Sequence, residues 1–535
     1  MAIAARCRLT LLLGLSTVGA ALPAQETAIE PLPERGTLRA TPASASRPTG
    51  LDRVLIAARA NRLELEAALN HFDPAQRPLE HAAMEWLLIH LDRHGHAQMG
   101  WFDEAGRQVE IPLEAFESET QRAAIWAELE RERGRLRPGV VRLDGDLLSL
   151  REEELVQQVE FAVRAWRERP WTAGLDFETF CEAVLPHRVG DEALDDWRRV
   201  LFETFVGLED RLDHPRDPVE AAAWIRRSVQ SWVQLEPAYS YHLTDQSLSE
   251  MLSSKRGRVE DLAHLELMAL RANAIPAVLD YTPAWAARRG NFAWTRLMIP
   301  GQATVAPEGR LAKVYRRTFA AQAEAWASRV PGDEPGRHRL VDARMRDVTS
   351  TYTETQSIGV ALRPHTRRSV LAFACVFDGQ NWTPVAAGQV SDEGSYVRFE
   401  DLGVGVAYLP AWYSEEGMTP AGPPFVLQSQ GRVRVLDGIG FETPGALLEL
   451  DRIAPQQPAE GVLPATAAVQ VETDHSYVLC AWQDGGWMPL DARAGRDGQL
   501  CWEVPPRRLI LVQPMGDWEV QARPWTPGLA QLLWW

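Results

Sequence analysis

The chain from Lys255 to Ala277 reads KRGRVEDLAHLELMALRANAIPA. It predicts a glycine-containing loop that enters a helix, and the apolar residues of that helix spread over a broad surface. They are Leu262, Leu265, Ala269 and Leu270. Because that surface is so broad, we expect the helix to be buried in a domain core. Strands are predicted to follow at 277–281 and 292–299.

This segment resembles the transglutaminase-like branch of the papain-type cysteine hydrolases. In that family a cysteine follows a Lys-x-Gly-x segment at the start of the buried helix. A Leu-Arg-Ala-x-x-Ile-Pro-Ala stretch leads to the next strand, and a His-x-Trp motif lies on the strand after that. The helix N-terminus and the imidazole lower the pKa of the thiol, so that the thiolate can attack a carboxamide. An acidic residue orients the imidazole.

The reactive positions of that pattern are substituted in this chain. Val259 stands at the cysteine position and Phe292 at the histidine position, and no aspartate occurs between Tyr281 and Gly332. The positions that match the family pattern are structural ones: Gly257, Asp261, Arg271, Ile275, Pro276, Asp280, Pro283, Trp285 and Trp294. The resemblance therefore implies the fold, whereas the substitutions predict a protein without the family's thiol chemistry.

The resemblance to secreted bacterial transglutaminase-like proteins extends over nearly the whole chain. Segments that carry it outside the core are 61–72, 185–198, 313–319, 347–349, 376–382 and 408–410. Together with the sequence patterns they predict an α+β multidomain protein. It has an N-terminal helical domain (51–215), a transglutaminase-like, papain-like α+β core (216–332), and two antiparallel β-sandwich-like units (340–454 and 465–535). Proline-rich breaks at 331–336 and 455–464 are the predicted linkers.

The N-terminus has the pattern of a secretory signal peptide. Arg6 and Arg8 precede a short apolar run at 9–21, and small residues follow up to Ala24. Residues 25–50 are rich in Ala, Pro, Ser and Thr and are predicted to form a disordered tether. No later run of 18 or more apolar residues predicts a transmembrane segment. We therefore expect an exported protein of the periplasm or the extracellular space.

The charge balance argues against nucleic acid as the main partner. The chain has 535 residues, with 73 acidic side chains against 56 Lys and Arg, and a formal net charge of −17. No long basic run is present to neutralise phosphates. No cofactor is predicted, because the sequence has no phosphate-binding glycine loop and no His-Glu-x-x-His motif.

The leading functional hypothesis is a catalytically silent protein that binds a polypeptide, glycopeptide or glycan in the former substrate cleft. The residues expected to line that cleft are Asp261, Asp280, Tyr281, Trp285, Asn291, Phe292 and Trp294. One alternative is an active cysteine-type amide hydrolase or transferase with relocated catalytic residues. Another is a purely structural envelope protein.

Three histidines, His90, His94 and His96, follow one apolar run, with His81 nearby. Histidines four residues apart on a helix could bind zinc. The alternative is that they mark the end of a helix, with Gly95 as its C-terminal cap. This second interpretation is favoured, because no carboxylate or cysteine joins them at ligand spacing.

The five cysteines are Cys7, Cys181, Cys375, Cys480 and Cys501. Cys7 falls in the predicted signal peptide, and Cys181 and Cys375 are predicted to be packed thiols. Cys480 and Cys501 lie on two candidate strands of one small β unit and could form a disulfide if the strand register brings them together.

Tryptophans are frequent in the β region and could serve either the core or a sugar-binding surface. They are Trp382, Trp412, Trp482, Trp487, Trp502, Trp518 and Trp525. The core is the favoured interpretation, since most tryptophans of a β-sandwich are buried.

Overall fold

The computed structural model describes most of the chain from residue 50 onward. The described residues are 50–111, 119–236, 238–239, 242–286, 290–307, 309–323, 325–330, 340–363, 369–378, 381–414, 417–436, 446–450, 471–504, 508–515, 525–527 and 532–534. The predicted signal peptide, nearly all of the tether and both proline-rich linkers lie outside them. No helix among the described residues has the length and apolar character needed to cross a membrane.

The N-terminal region consists mainly of helices around one apolar cluster. Its helices are α1 (Gly50–Ala57), α2 (Arg62–His71), α3 (Pro78–Ile89), α4 (Glu119–Arg133), α5 (Asp146–Ser149), α6 (Glu152–Glu168), α7 (Phe177–Ala183) and α8 (Trp197–Thr204). Helix α6 buries an apolar stripe in this cluster, formed by Leu155, Val159, Ala162 and Val163. The prediction of helices throughout this region was incomplete, as a small sheet interrupts them.

That sheet has the strand order β2-β1-β3 and is antiparallel. Its strands are β1 (Gly95–Phe102), β2 (Gln108–Val109) and β3 (Arg137–Gly145). Strand β3 is exposed along most of its length, so it lacks the alternation of buried apolar and exposed polar residues by which a strand is recognised in sequence.

The predicted α+β core places one long helix against a four-stranded antiparallel sheet of order β7-β6-β8-β9. Its helices are α9 (Pro218–Val229), α10 (Leu248–Ser254), α11 (Val259–Ala272), α12 (Trp326–Arg329) and α13 (Thr349–Tyr352). Its strands are β4 (Gln234–Leu235), β5 (Arg256–Gly257), β6 (Ala277–Thr282), β7 (Phe292–Leu297), β8 (Tyr315–Arg317) and β9 (Met345–Asp347). Strand β9 lies beyond residue 332, so the sheet extends past the predicted end of the core.

Helix α11 is the buried helix that the sequence predicts. Among its residues, Leu265, Leu267, Met268, Ala269, Leu270 and Ala272 belong to one apolar cluster with residues of α9, β6 and β7. These contacts bury the broad apolar surface of the helix and fix the position of its N-terminal turn, where the candidate site begins.

The first β unit is one eight-stranded antiparallel sheet with an apolar cluster on each side. Its strands are β10 (Thr355–Ala361), β11 (Leu371–Phe377), β12 (Trp382–Val390), β13 (Tyr396–Gly403), β14 (Ala407–Ser414), β15 (Gly417–Pro420), β16 (Phe425–Gln428) and β17 (Arg432–Val435). A hairpin joins β16 and β17, and Gln430 and Gly431 in its loop both have positive φ angles.

The second β unit contains a five-stranded sheet and a two-stranded sheet. Its strands are β18 (Ala446–Leu450), β19 (Ser476–Gln483), β20 (Gly486–Ala494), β21 (Leu500–Val504), β22 (Ile510–Pro514), β23 (Trp525–Pro527) and β24 (Leu532–Trp534). Strand β18 pairs with β21, so it belongs to this unit although it precedes the predicted linker at 455–464. With these boundary corrections, the predicted α+β multidomain fold class is confirmed.

Candidate functional site

Helix α11 begins beside a buried carboxylate that caps it. The backbone N–H of Arg258 donates to Asp261 Oδ2 at 2.8 Å, and the Arg258 guanidinium donates to both carboxylate oxygens. Gln246 Nε2 donates to the same carboxylate at 3.0 Å. A carboxylate in the first turn satisfies N–H groups that have no partner within the helix, and it interacts favourably with the helix dipole. Asp261 is fully buried, so it is a structural cap and does not line a cleft.

Val259 and Phe292 belong to one apolar cluster. Phe292 and Trp285 are buried, with ring centroids 5.9 Å apart, and Trp294 stacks on Phe292 at 5.8 Å. Val259 and Trp294 are half-buried and pack against this cluster. The two positions that the family resemblance assigns to catalysis are therefore close in space and packed with apolar side chains.

Asp280 is fully buried in an ion pair on the sheet. Arg316 donates to its two oxygens at 2.8 and 2.9 Å, and Tyr352 Oη donates to Oδ2 at 2.6 Å. Trp294 Nε1 donates to Tyr352 Oη at 3.2 Å. Burial and the neighbouring Asp280 carboxylate raise the pKa of Tyr352 to about 12. These contacts make Asp280 and Trp294 parts of a structural network.

The strand register shows which side chains of β6 and β7 share a face of the sheet. Asp280 is opposite Trp294, and Tyr281 is opposite Ala293. Because successive side chains of a strand point to opposite faces, Asp280 and Trp294 share one face. Tyr281 and Ala293 share the other, which packs against α11.

An open cavity of about 320 Å³ lies on this second face, beside α11. We name it the charged cavity. Its polar lining residues are Asp191, Asp245, Glu260, His264, Tyr281, Asn291, Arg317, Asp342 and Arg344. Of the residues predicted to line a cleft, Tyr281 and Asn291 do so, whereas Asp261, Asp280, Trp285, Phe292 and Trp294 are not among its lining residues.

Ion pairs hold the charged groups of this cavity in place. Arg317 donates to Asp191 Oδ1 at 2.8 Å, and Arg344 Nη2 lies 3.4 Å from the same oxygen. Burial opposes ionisation of Asp191, but these two guanidinium groups outweigh it and lower its pKa to about 2. Arg258 donates to Asp245 Oδ1 at 2.7 Å. Both aspartates are therefore ionised at neutral pH.

One hydrogen bond at the charged cavity involves an uncharged, exposed side chain. Asn291 Nδ2 donates to Glu260 Oε1 at 2.9 Å, and Asn291 is exposed. This amide bridges the start of β7 to the first turn of α11.

A loop fixed by arginines brings a further carboxylate close to the cavity. Arg198 is fully buried and donates to the carbonyls of Val184, Leu185 and Pro186. Glu192, at the end of this loop, lies with Asp245 and His264 such that one ligand atom of each falls within 4.8 Å of the others. Within the part of the chain that the structure describes, these three side chains form a group that could hold a metal ion.

The histidines near residue 90 do not come together as ligands. His94 is buried, stacks on Phe319 at 3.9 Å, and has Phe319 O and Arg344 Nη1 next to its two ring nitrogens. His90 follows the end of α3, whereas His96 lies on β1 with Nδ1 3.2 Å from Asp191 O. Gly95 begins β1, so its predicted role as a helix cap is wrong.

The described cysteines are free thiols. Cys480 and Cys501 are unpaired, so the disulfide that the sequence left open is not formed in this structure. Cys480 lies on β19 of the five-stranded sheet, whereas Cys501 lies on β21, which pairs with β18. Cys181 and Cys375 are buried as predicted. Burial raises the pKa of Cys181 to about 12 and that of Cys480 to about 11, and it raises that of Cys375 as well.

Most tryptophans of the β region serve the core. Those with less than a tenth of their surface exposed are Trp382, Trp412, Trp482 and Trp502. Trp487 packs against the same cluster as Trp382 and Trp482. Trp518 lies outside the described residues, and of Trp525 only the strand position is described. The core interpretation is confirmed for the five whose side chains the structure describes.

The role of several residues at the charged cavity was not predicted from the sequence. His264 carried a signal, since it is a polar residue on a helix that is otherwise apolar around its buried surface. Asp191 and Glu192 lie in a segment that carries the family resemblance. Arg317 and Arg344 carried no local signal, because their role depends on β8 and on the segment preceding β9 reaching the same cavity.

One comparison with known proteins, the match to a family model, agrees with the core of this architecture. Residues 208–309 match the family model described as the transglutaminase-like superfamily. The chain therefore contains a transglutaminase-like domain, which includes α9–α11 and strands β4–β7. No curated protein matches the chain. The crystal structure of red sea bream transglutaminase is similar at 13% identity, over 60% of this chain and 71% of that one, with a TM-score of 0.19. A score this low does not bear on fold or function.

Proposed function

We propose that this transglutaminase-like protein is a non-catalytic binding protein whose ligand occupies the charged cavity. The observation that carries the proposal is the packing of Val259 and Phe292 in one apolar cluster. Neither side chain can act as a nucleophile or transfer a proton. In the family that the sequence resembles, these positions hold the thiol and the imidazole.

The described thiols support this proposal. Cys181, Cys375 and Cys480 are buried, and burial raises their pKa values, which keeps them in the unreactive thiol form. Cys501 is exposed but lies in the second β unit, and it does not line the charged cavity. A relocated cysteine enzyme would need a thiolate beside a histidine.

The chemistry of the cavity favours a ligand with both amino and carboxyl groups. Four carboxylates and two guanidinium groups line it, together with the phenol of Tyr281. Polypeptides and glycopeptides carry charged groups that can complement these side chains, whereas a neutral glycan carries none. We therefore place a polypeptide or glycopeptide ahead of a glycan as the ligand.

Purified protein should show neither amine incorporation into a glutamine-containing peptide nor hydrolysis of peptide or glycopeptide amides. Turnover that iodoacetamide abolishes would overturn the proposal in favour of a relocated cysteine enzyme. The double variant Val259→Cys/Phe292→His tests the assignment of the two positions. Recovery of thiol-dependent turnover in it, but not in Val259→Cys alone, would support the assignment.

Binding is tested by calorimetry with three matched probes: a peptide, the same peptide glycosylated, and the free oligosaccharide. We expect the two peptides to bind, and we expect Glu260→Gln and Asn291→Ala to weaken binding. Glu178→Gln, an exposed carboxylate on α7, is the control and should bind as the wild type does. Absence of binding by all three probes would favour the structural envelope protein.

We also propose that the protein is exported and acts in the periplasm or outside the cell. The support is the signal-peptide pattern of residues 1–24. Expression of the full chain in a bacterium, followed by fractionation and N-terminal sequencing, should give an exported form that begins near Gln25. A form that stays in the cytoplasm with its N-terminus intact would contradict this.

A further inference from the structure

Three side chains from separate segments converge beside the charged cavity. Glu192 follows α7, Asp245 precedes α10, and His264 lies in the middle of α11. One ligand atom of each lies within 4.8 Å of the other two. Glu192 and His264 are 1% and 2% exposed, and Asp245 is half-buried and faces the cavity.

One ring nitrogen of His264 lacks a hydrogen-bond partner among the described residues. That atom, Nδ1, is buried, although the ring itself lines the charged cavity. Buried polar atoms are nearly always satisfied, and a bound water or ion is one explanation for a buried atom without a protein partner. This observation is independent of the two carboxylates.

Hydrogen bonds orient the carboxylates of Glu192 and Asp245 and leave lone pairs that can bind a cation. Glu192 accepts the backbone N–H groups of Val189 and Gly190 at 2.9 and 2.7 Å. Asp245 accepts the backbone N–H of Asp191 on Oδ2 at 3.0 Å, and Arg258 occupies Oδ1. Each carboxylate oxygen has two lone pairs, so one hydrogen bond leaves it able to bind a cation. Hydrogen bonds of this kind orient the ligands of metal sites.

We propose that Glu192, Asp245 and His264 bind one divalent transition-metal ion. One imidazole and two carboxylates suit Zn²⁺ or Mn²⁺, whereas Ca²⁺ and Mg²⁺ prefer all-oxygen sites. The ion would enter through the charged cavity, where Asp245 and His264 are lining residues. This inference does not depend on the proposed peptide ligand.

The test uses the full chain stripped of metal with a chelator and then titrated with Zn²⁺ by calorimetry and with Mn²⁺ by electron paramagnetic resonance. We expect one Zn²⁺ or Mn²⁺ per chain. Asp245→Asn and His264→Gln should each weaken binding at least tenfold, since even residues that only orient the ligands of a metal site typically matter by about 10- to 100-fold. Binding of neither ion, or binding that both variants leave unchanged, would overturn the proposal.

Two control variants separate this site from adventitious binding by other histidines. His214→Gln removes an exposed imidazole, and His90→Gln removes a half-buried member of the histidine cluster that packs on Trp86. Both should bind the ion as the wild type does. Circular dichroism of each variant establishes that it is folded. If His264→Gln does not fold, the half-buried Asp245→Asn decides the outcome alone.

Discussion

Arg258 and Asp261 fix the start of the central helix through three hydrogen bonds. The backbone N–H of Arg258 lies 2.8 Å from Asp261 Oδ2, and the guanidinium reaches the two oxygens at 3.2 and 3.0 Å. The same guanidinium lies 2.7 Å from Asp245. One side chain therefore links the cap of α11 to the charged cavity, so the stability of the helix and the geometry of the site are coupled.

Asp261→Ala removes the cap of α11 and leaves the Arg258 guanidinium short of a buried partner. Loss of a cap costs about 1 kcal/mol, and breaking a buried ion pair costs about 3–5 kcal/mol. Because Arg258 is partly exposed and keeps Asp245, we expect the free energy of unfolding to fall by about 2–4 kcal/mol. Urea denaturation measures this. Glu260→Ala, a half-exposed carboxylate in the same turn, is the control and should cost less than about 1 kcal/mol.

Gly190 is needed where Asp245 and His264 approach each other. A Cβ atom on it would lie 2.3 Å from Asp245 Oδ2 and 2.7 Å from His264 Cε1. Gly190→Ala should therefore displace both side chains, lower the free energy of unfolding by about 1–3 kcal/mol and weaken metal binding. Gly174→Ala is the matched control, because a Cβ there meets nothing within 4 Å. Equal stability and equal binding in the two variants would contradict this account.

Two buried histidines should make the protein less stable in mild acid. His94 and His187 have ring centroids 6.1 Å apart. Burial lowers the pKa of both below 6.5, and Arg344 adds to this effect at His94. In the unfolded chain each takes up a proton near pH 6.5, whereas in the folded chain it does so only at lower pH. The unfolded state thus binds more protons in this window, and the free energy of unfolding falls as the pH drops below about 6.5.

Each histidine contributes a slope of up to about 1.4 kcal/mol per pH unit. Urea denaturation at pH 7.5, 6.5 and 5.5 measures it. His94→Gln should reduce the slope, whereas the exposed control His214→Gln should keep the wild-type slope. A wild-type stability that does not change between pH 7.5 and 5.5 would disprove the prediction.

The four described cysteines should differ sharply in reactivity. Cys501 is exposed, whereas Cys181, Cys375 and Cys480 are buried with raised pKa values. Titration of the native protein with a thiol reagent should therefore label Cys501 rapidly, and the other three only after unfolding. Peptide mapping identifies the labelled residues. A Cys480–Cys501 disulfide, seen as a mass shift on reduction, would contradict the structure.

The sequence predicted the buried helix that the structure places at Val259–Ala272, because its apolar residues recur at helical spacing and its flanking motifs are local. Residues that interact within a few positions, such as Arg258 and Asp261, can be recognised in the same way. The sequence could not separate Asp280 from Tyr281. They are neighbours in the chain, but the alternation of a strand places one in a buried ion pair and the other at the charged cavity.

The amino-acid sequence by itself determined the transglutaminase-like core and the absence of a thiol at Val259, since both depend on residue identity at short spacing. Only the tertiary structure decided where the site is. Asp191, Asp245, His264 and Arg317 come from four separate segments, and contacts over such separations are set by how helix α11 packs on its sheet. The physical reason is that side-chain chemistry is encoded locally, whereas the distance between two side chains depends on the packing of the whole core.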